Sequence, residues 1–172
     1  MHNWYLLTHG PIDFHNLESR ISGLGVEVFT PIYTELRRRL DRPSMRRKIK
    51  QLFPGYIFLR FDPEIVHTTT ITRIPGVLRF VAFCDSDTPC IVDDQLIAGL
   101  KKAVLLRSDP GLHSIECSNL SDEVVNHLNL IVNMPRAKQR EEAFYQFLHH
   151  QFSLSRLNRR TRCPLIYTAL VS

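Results

Sequence analysis

FPGYIFLRF, residues 53–61, is an apolar and aromatic segment that begins with a Pro-Gly turn, and both features predict a β-strand. Because side chains alternate between the two faces of a strand, Tyr56 and Phe58 should share one face while Ile57 lies on the other. Both faces therefore need cover. Helices can cover one of them, and the other predicts an exposed apolar patch of the type that marks a partner site.

The segments around this strand predict an α+β sandwich. Extended segments are indicated at 3–9, 26–36, 77–83 and 89–93. One helix should begin at Pro11 and end at Gly23, and another should begin at Asp93 or Asp94. This order places helices on a largely antiparallel sheet, and it predicts a first domain over residues 1–104.

A different pattern follows this first domain. Residues 105–119 have the composition of a linker, and residues 120–172 predict a small helical domain. Its helices are expected at about 121–134 and 137–157. The apolar stripe of this helical hairpin consists of Val124, Leu128, Ile131, Phe144, Phe147 and Leu148. Two short helices bury too little apolar surface to fold alone, so we expect the stripe to pack on the first domain.

The composition is that of a globular protein. With 172 residues, of which 44% are hydrophobic, the chain can bury a core. No apolar run reaches the ~20 residues that span a bilayer, and the N-terminal residues lack the blocks of a signal peptide, so we expect a cytoplasmic protein without membrane contact. The cysteines form no C-x-x-C pair, which indicates neither a zinc site nor a disulfide framework.

The positive charge is concentrated in RRRLDRPSMRRKIK, residues 37–50, where the only acid is Asp41. A charge run is often a solvated loop, but this density favours a polyanion as partner, because each neutralised phosphate releases counterions. We expect a loop or hairpin tip around 41–44. The candidate nucleic-acid contacts are Arg37, Arg38, Arg46, Arg47 and Lys48. A repressor that binds nucleic acid through this loop is therefore an alternative function.

PEIVHTTTITRIPG, residues 63–76, combines helix signals with residues that disfavour a helix. Asp62 can cap it, Pro63 suits the first helical position, and Pro75-Gly76 can end it. The threonines between them are β-branched, and each costs roughly half a kcal/mol relative to alanine in a helix. Intrinsic helix stability therefore does not explain these threonines. The segment is a short strand, a helix held by packing, or a polar contact surface.

The sequence does not indicate an enzyme. Histidines and acids could in principle form a nuclease or a metal site, but there is no H-E-x-x-H motif and no glycine-rich phosphate loop. His149 and His150 are adjacent and point to different sides of a helix, and Asp93 and Asp94 are explained as a cap. We therefore expect no catalytic residue, metal or cofactor.

Several segments together resemble a known protein family. They are NWYLL at 3–7, LFPGYIFLRFDPE at 52–64, HTTT at 67–70, PGVLRFVAF at 75–83 and PCIVDDQLI at 89–97. Their order and spacing resemble the N-terminal domain of the NusG family of transcription elongation factors, over residues 1–104. The HTTT segment is similar to the specialised RfaH-like branch of that family, which includes paralogues carried on plasmids.

The resemblance implies two contacts with bacterial RNA polymerase and a monomeric factor. In the family an apolar depression binds the polymerase clamp helices, and the matching positions are Phe53, Tyr56, Phe58, Phe83 and Leu100. In RfaH-like proteins the histidine-threonine motif contacts the gate loop, which implies this role for His67, Thr68 and Thr69. A factor that bridges the cleft in this way would disfavour pausing and termination, because a ligand shifts an equilibrium towards the state it prefers.

The sequence departs from the RfaH-like pattern in two places. Gly10 and Pro11 stand where a basic pair would contact the non-template DNA strand. The remaining candidates for that contact are His9, His15, Arg20, Thr72 and Arg73. In addition, no glycine follows Gly111, although the turns of the usual C-terminal KOW β-barrel need glycine. The resemblance therefore implies that the helical hairpin masks the polymerase site, and that a refolded barrel is the form that would meet the ribosome.

Overall fold

The computed structural model describes the backbone of residues 1–38, 45–83, 88–102, 104–109, 112–116 and 120–161, and the side chains of residues 1–33, 49–83, 88–101 and 120–153. A central antiparallel sheet organises the first hundred residues. Strand β1 (Asn3–His9) lies in its middle and pairs with β5 (Tyr56–Phe61) on one side. On its other side, β1 pairs with β6 (Val77–Phe80) and with the short β7 (Ile91–Val92). Strand β2 (Glu27–Phe29) adds to the outer edge of β5, so the order is β2-β5-β1-β6.

Two helices cover one face of this sheet. They are α1 (Phe14–Ser22) and α2 (Thr68–Thr72). We call the apolar cluster between them and the sheet the helix-side core, and its buried members include Leu17, Ile21, Ile57, Leu59 and Ile71. The predicted α+β sandwich with an antiparallel sheet is confirmed.

Both of these helices begin later than the sequence indicates. Helix α1 begins at Phe14 rather than Pro11, because the Asp13 side chain caps it by accepting a hydrogen bond from the His15 backbone N–H at 3.1 Å. Asp62 does cap a turn, since its side chain accepts from the Glu64 N–H at 3.2 Å and its carbonyl accepts from the Val66 N–H at 2.9 Å. That turn ends before α2 begins.

A two-stranded hairpin carries the basic segment. It consists of β3 (Ile32–Arg38) and β4 (Met45–Gln51), whose register places Arg37 opposite Arg46. The predicted tip around residues 41–44 lies outside the described residues. A second hairpin, β8 (Val104–Asp109) with β9 (Leu112–Glu116), lies in the segment that has the composition of a linker.

Three helices complete the described chain. Helix α3 (Asp94–Lys102) follows β7, and Asp93 caps it by accepting a hydrogen bond from the Gln95 N–H at 2.7 Å. Helices α4 (Asp122–Val132) and α5 (Ala137–Thr161) form the helical C-terminal part that the sequence predicts. Ser121 caps α4 by accepting from the Val124 N–H at 3.5 Å.

Candidate functional site

The five residues predicted to contact the clamp helices lie together on the side of the sheet away from α1 and α2. Each is buried, with between 0% and 5% of its surface exposed: Phe53, Tyr56, Phe58, Phe83 and Leu100. They belong to one apolar cluster with the inner sides of α4 and α5, which we call the hairpin-side core. Strand alternation explains the arrangement, since Tyr56 and Phe58 enter this core while Ile57 and Leu59 enter the helix-side core.

Phe144 of α5 is the centre of the contact between the sheet and the C-terminal helices. Its ring lies parallel to that of Phe53, with centroids 3.7 Å apart and 7° between the planes. It meets Tyr56 and Phe58 edge-on, at centroid distances of 5.6 and 6.1 Å. Edge-to-face pairs at such distances add roughly 0.5–1.5 kcal/mol each beyond the burial of area. The Phe144 side chain is fully buried.

Phe83 is covered by the next turns of the same helix. Its ring lies 5.4 Å from the rings of Tyr145 and Phe152 and 5.2 Å from the ring of His149. Helix α5 therefore crosses the cluster from Phe53 to Phe83 along its aromatic side.

Helix α4 covers the remainder of the hairpin-side core with aliphatic side chains. Leu128 and Ile131 are 0% and 4% exposed, Val132 is buried, and Val124 packs half-buried at the edge. Just before α4, Leu120 rests on Gly99 of α3: a Cβ atom added at Gly99 would lie 2.7 Å from the Leu120 Cγ and Cδ1 atoms. Glycine at this position lets the chain entering α4 approach α3 closely.

A hydrogen bond and a raised pKa accompany the aromatic contacts. The Tyr56 hydroxyl donates to the backbone carbonyl of Glu141 at 3.4 Å, which is long for an O–H donor. Burial raises the pKa of the Tyr56 hydroxyl to about 12, and the negative charge of Glu141 adds to the rise. Gly55 precedes Tyr56 in the turn before β5, and its backbone φ of 82° is one that glycine adopts more readily than other residues. The contact between sheet and helices is thus mainly apolar.

The histidine-threonine motif lies on the opposite face, at the start of α2. His67 is the N-cap, and its Nδ1 lies 2.8 Å from the Thr69 hydroxyl and 3.4 Å from the Thr69 backbone nitrogen. His67 and Thr69 are exposed, Thr68 is half-buried, and Ile71 anchors the helix in the helix-side core. The motif therefore presents a polar surface that is preorganised by its own hydrogen bonds.

The candidates for DNA contact near α1 and α2 divide into two groups. His15, Arg20 and Arg73 are exposed, and Thr72 is half-buried. His9 is enclosed, with 8% of its surface exposed. Its ring is hydrogen bonded through Nδ1 to the Gly10 carbonyl at 2.8 Å and through Nε2 to the Gln51 amide nitrogen at 3.0 Å. Both ring nitrogens of His9 are thus engaged within the chain in this structure, and a contact of this ring with nucleic acid stays a prediction.

The five basic candidates of the β3–β4 hairpin are placed by their backbone alone. They are Arg37, Arg38, Arg46, Arg47 and Lys48, and they lie on the two paired strands, with Leu36 opposite Arg47 and Glu35 opposite Lys48. Their side chains lie outside the described residues.

Sequence reasoning missed two features of the site. Trp4 belongs to the hairpin-side core, and the Lys101 ammonium lies 4.6 Å from the centre of its ring. Lys101 also bonds the Glu27 carboxylate at 2.6 Å, which lowers the pKa of that carboxyl group. The contact of Leu120 with Gly99 was also missed. A glycine within an otherwise regular helix was the available signal for that contact.

A comparison with protein families identifies the first part of the chain. The family model for NusG, described as "Transcription termination factor nusG", matches residues 2–101. The chain belongs to the NusG family. The match ends within α3, before the β8–β9 hairpin and the C-terminal helices begin.

Membership of the NusG family establishes the general activity. NusG-family proteins are transcription factors that act in elongation and termination and bind RNA polymerase, and they are not enzymes. Within the described part of this NusG chain, no group of three or more histidine, cysteine or acidic side chains could hold a metal ion. None of the described helices is both long enough and apolar enough to cross a membrane.

Proposed function

We propose that this NusG-family chain is an RfaH-like elongation and antitermination factor in which α4 and α5 mask the polymerase-binding surface. The observation that supports this most directly is the burial of Phe144 against Phe53, Tyr56 and Phe58. These three rings occupy positions that match the family's clamp-helix contacts. A surface that is already filled by α5 cannot receive the clamp helices until the helix leaves.

The domain organisation follows from this proposal. Residues 1–104 form the polymerase-binding domain, residues 105–119 connect it to the cover, and residues 120–172 contain the masking helices. The side chains that hold the cover in place are Val124, Leu128, Ile131, Phe144, Phe147 and Leu148. In the open arrangement the factor acts as a cytoplasmic monomer, and a C-terminal part refolded into a barrel would be the form that contacts the ribosome.

The histidine-threonine motif supplies the second polymerase contact. His67, Thr68 and Thr69 lie near one end of a short helix on the other face of the sheet from Phe144. Two contacts on opposite faces suit a factor that bridges the polymerase cleft between the clamp helices and the gate loop. Bridging favours the closed clamp, and the differential affinity for that state reduces pausing and termination.

The test compares two variants. In the first, α4 and α5 are released from the sheet, and in the second a proposed clamp-helix contact is also removed. Leu148→Asp places a charge at a position that is 6% exposed in the hairpin-side core, and it should release the helices. This variant should bind RNA polymerase more tightly than the unaltered chain and shorten pauses in single-round transcription. Adding Tyr56→Ala to Leu148→Asp should remove both effects.

Two results would contradict the proposal. The first is an opened chain, verified by loss of hydrogen-exchange protection in α5, that gains no affinity for the polymerase. The second is polymerase binding by the opened chain that persists after Tyr56→Ala.

The alternative function is a repressor that binds nucleic acid through the β3–β4 hairpin. The register supports it, because it places Arg37 opposite Arg46 and so brings two basic positions together on the hairpin. Charge reversal at Arg37 and Arg46 should abolish activity if the hairpin is the principal site, and should only weaken activity if polymerase binding dominates. The non-template DNA strand is the nucleic acid available to a polymerase-bound factor, and Arg20 and Arg73 are exposed for that contact.

A further inference from the structure

A cavity of about 580 Å³ lies between the first domain and the C-terminal helices. Its volume falls in the range of roughly 300–1,000 Å³ that is typical of small-molecule sites. The walls come from both parts of the chain. Leu6, Val81 and Leu96 line it from the sheet and α3, while Val124, Leu148 and Phe152 line it from α4 and α5. The cavity therefore exists only while the helices are docked.

The charged residues that line this cavity are both acidic. Asp93, Asp94 and Gln95 line it from the start of α3, where all three residues are exposed, and Gln151 lines it from α5. No lysine, arginine or histidine is among the described residues that line the cavity. One oxygen of Asp93 already accepts the Gln95 N–H at 2.7 Å, which fixes the orientation of that carboxylate. The remaining carboxylate oxygens are acceptors for a cationic donor.

The apolar wall between these groups carries no charge of its own. Cys90 lines the cavity, and burial raises the pKa of its thiol to about 12. This thiol is therefore neutral at physiological pH, and it behaves as a small apolar side chain. A ligand that matches this arrangement has an apolar body and a single positive end.

We propose that this interface cavity binds a small organic cation, an aromatic or alkyl ammonium compound, and that the ligand thereby holds α4 and α5 over the polymerase-binding surface. The second half rests on the proposed function. A ligand that touches walls from both parts binds the docked arrangement and not the open one, so it stabilises docking by RT ln(1 + [L]/Kd). Apolar contact area supplies the affinity, and Asp93 with Asp94 supplies the preference for a cation.

The binding half is tested on the full chain with two probes of similar shape and opposite charge, 1-naphthylmethylammonium and 1-naphthalenesulfonate. Titration calorimetry should show that the cation binds at least tenfold more tightly than the sulfonate. Asp93→Asn combined with Asp94→Asn should remove this preference, and asparagine at 93 retains the cap of α3. Equal affinity of the two probes, or no binding of either, would overturn the assignment.

A second pair of variants locates the bound probe. Val124→Trp fills the cavity from α4 and should abolish binding of the cation. Leu130→Trp makes the same change on the outer side of that helix, where Leu130 is 66% exposed, and it should leave binding unchanged. Binding that survives Val124→Trp in a chain with an unaltered circular dichroism spectrum would place the site elsewhere and refute the proposal.

The regulatory half is tested by measuring polymerase affinity with and without saturating 1-naphthylmethylammonium. Affinity of the unaltered chain should fall at least fivefold. Affinity of a chain opened by Ile131→Asp should not change, since Ile131 is 4% exposed in the hairpin-side core and is not among the described residues that line the cavity. An unchanged affinity of the unaltered chain refutes the regulatory half. If the cation binds but neither chain binds the polymerase, the proposed function fails while the ligand site stands, because the calorimetry involves no polymerase.

Discussion

Replacing Phe144 by alanine should expose the proposed polymerase-binding surface with little direct effect on the sheet. The Phe144 ring contacts Phe53, Tyr56 and Phe58, all of which belong to the first domain. Its contact with Phe147, at a centroid distance of 6.2 Å, lies within α5 and survives when the helix leaves. Most of the loss on truncation therefore falls on docking of the helix rather than on folding of the domain.

The size of the effect follows from the burial of this ring. Phe144 is fully buried, and truncation of such a phenylalanine costs about 3–5 kcal/mol. Since about 1.4 kcal/mol corresponds to a factor of ten, the equilibrium between docked and open helices should shift by roughly two to three and a half orders of magnitude. The apparent polymerase affinity should rise with the open fraction, up to the intrinsic affinity of the open form.

The assay is fluorescence anisotropy of the labelled full chain titrated with RNA polymerase, paired with hydrogen exchange of α5. Two controls separate uncovering from general damage. Leu130→Ala, at a position that is 66% exposed on α4, should change neither measurement. Phe61→Ala, at a position that is 2% exposed in the helix-side core, should lower the melting temperature without raising polymerase affinity.

Two outcomes would refute this reasoning. If Phe144→Ala leaves α5 protected from exchange and polymerase affinity unchanged, the stacked ring does not hold the cover. If α5 loses protection but affinity does not rise, the uncovered surface is not the polymerase-binding site.

Three further changes test the proposed gate-loop contact, the docked position of α4 and α5, and the ionisation of Tyr56. His67→Ala with Thr69→Ala should weaken suppression of pausing several-fold in single-round transcription while polymerase affinity in the opened chain changes less than twofold; a parallel loss of affinity would contradict separate contacts. Cysteines at Gly99 and Leu120, in a chain whose native cysteines are serines, should form a disulfide on oxidation and block polymerase binding until reduced, because Leu120 Cγ lies 2.7 Å from a Cβ at 99. The raised pKa of Tyr56 contributes stability below pH 10 that is lost as pH rises towards 12, so Tyr56→Phe should flatten that decline in urea titrations at increasing pH.

The sequence predicted the two faces of the sheet because strand alternation is a local property. Tyr56 and Phe58 fall on one face and Ile57 and Leu59 on the other whatever the rest of the chain does, and the structure places them in different cores. The apolar stripe of the C-terminal helices is equally local, and it predicted that a partner surface was needed.

The features that the sequence did not predict depend either on competition between alternative helix caps or on contacts between residues far apart in the sequence. The sequence predicts Asp62 as the cap of α2, but His67 caps it because Asp62 is engaged in a separate turn. The sequence around His9 suggests an exposed side chain. Its hydrogen bond to Gln51 could not be predicted locally, because the two residues are 42 positions apart. The β8–β9 strands lie in a segment whose composition resembles a linker, so local propensity gave no signal for them.

The alternation along β5 also determines how the protein tolerates substitution. Replacing Ile57 or Leu59 damages the core that lies permanently beneath α1 and α2, so such variants should be lost to proteolysis and appear as low abundance. Replacing Tyr56 or Phe58 damages the surface under α4 and α5, which the proposed function requires to be uncovered for the polymerase, so such variants should persist with altered activity. A saturation screen that scores abundance and activity separately would then show a period of two along residues 56–59, where neighbouring positions should fail for different reasons.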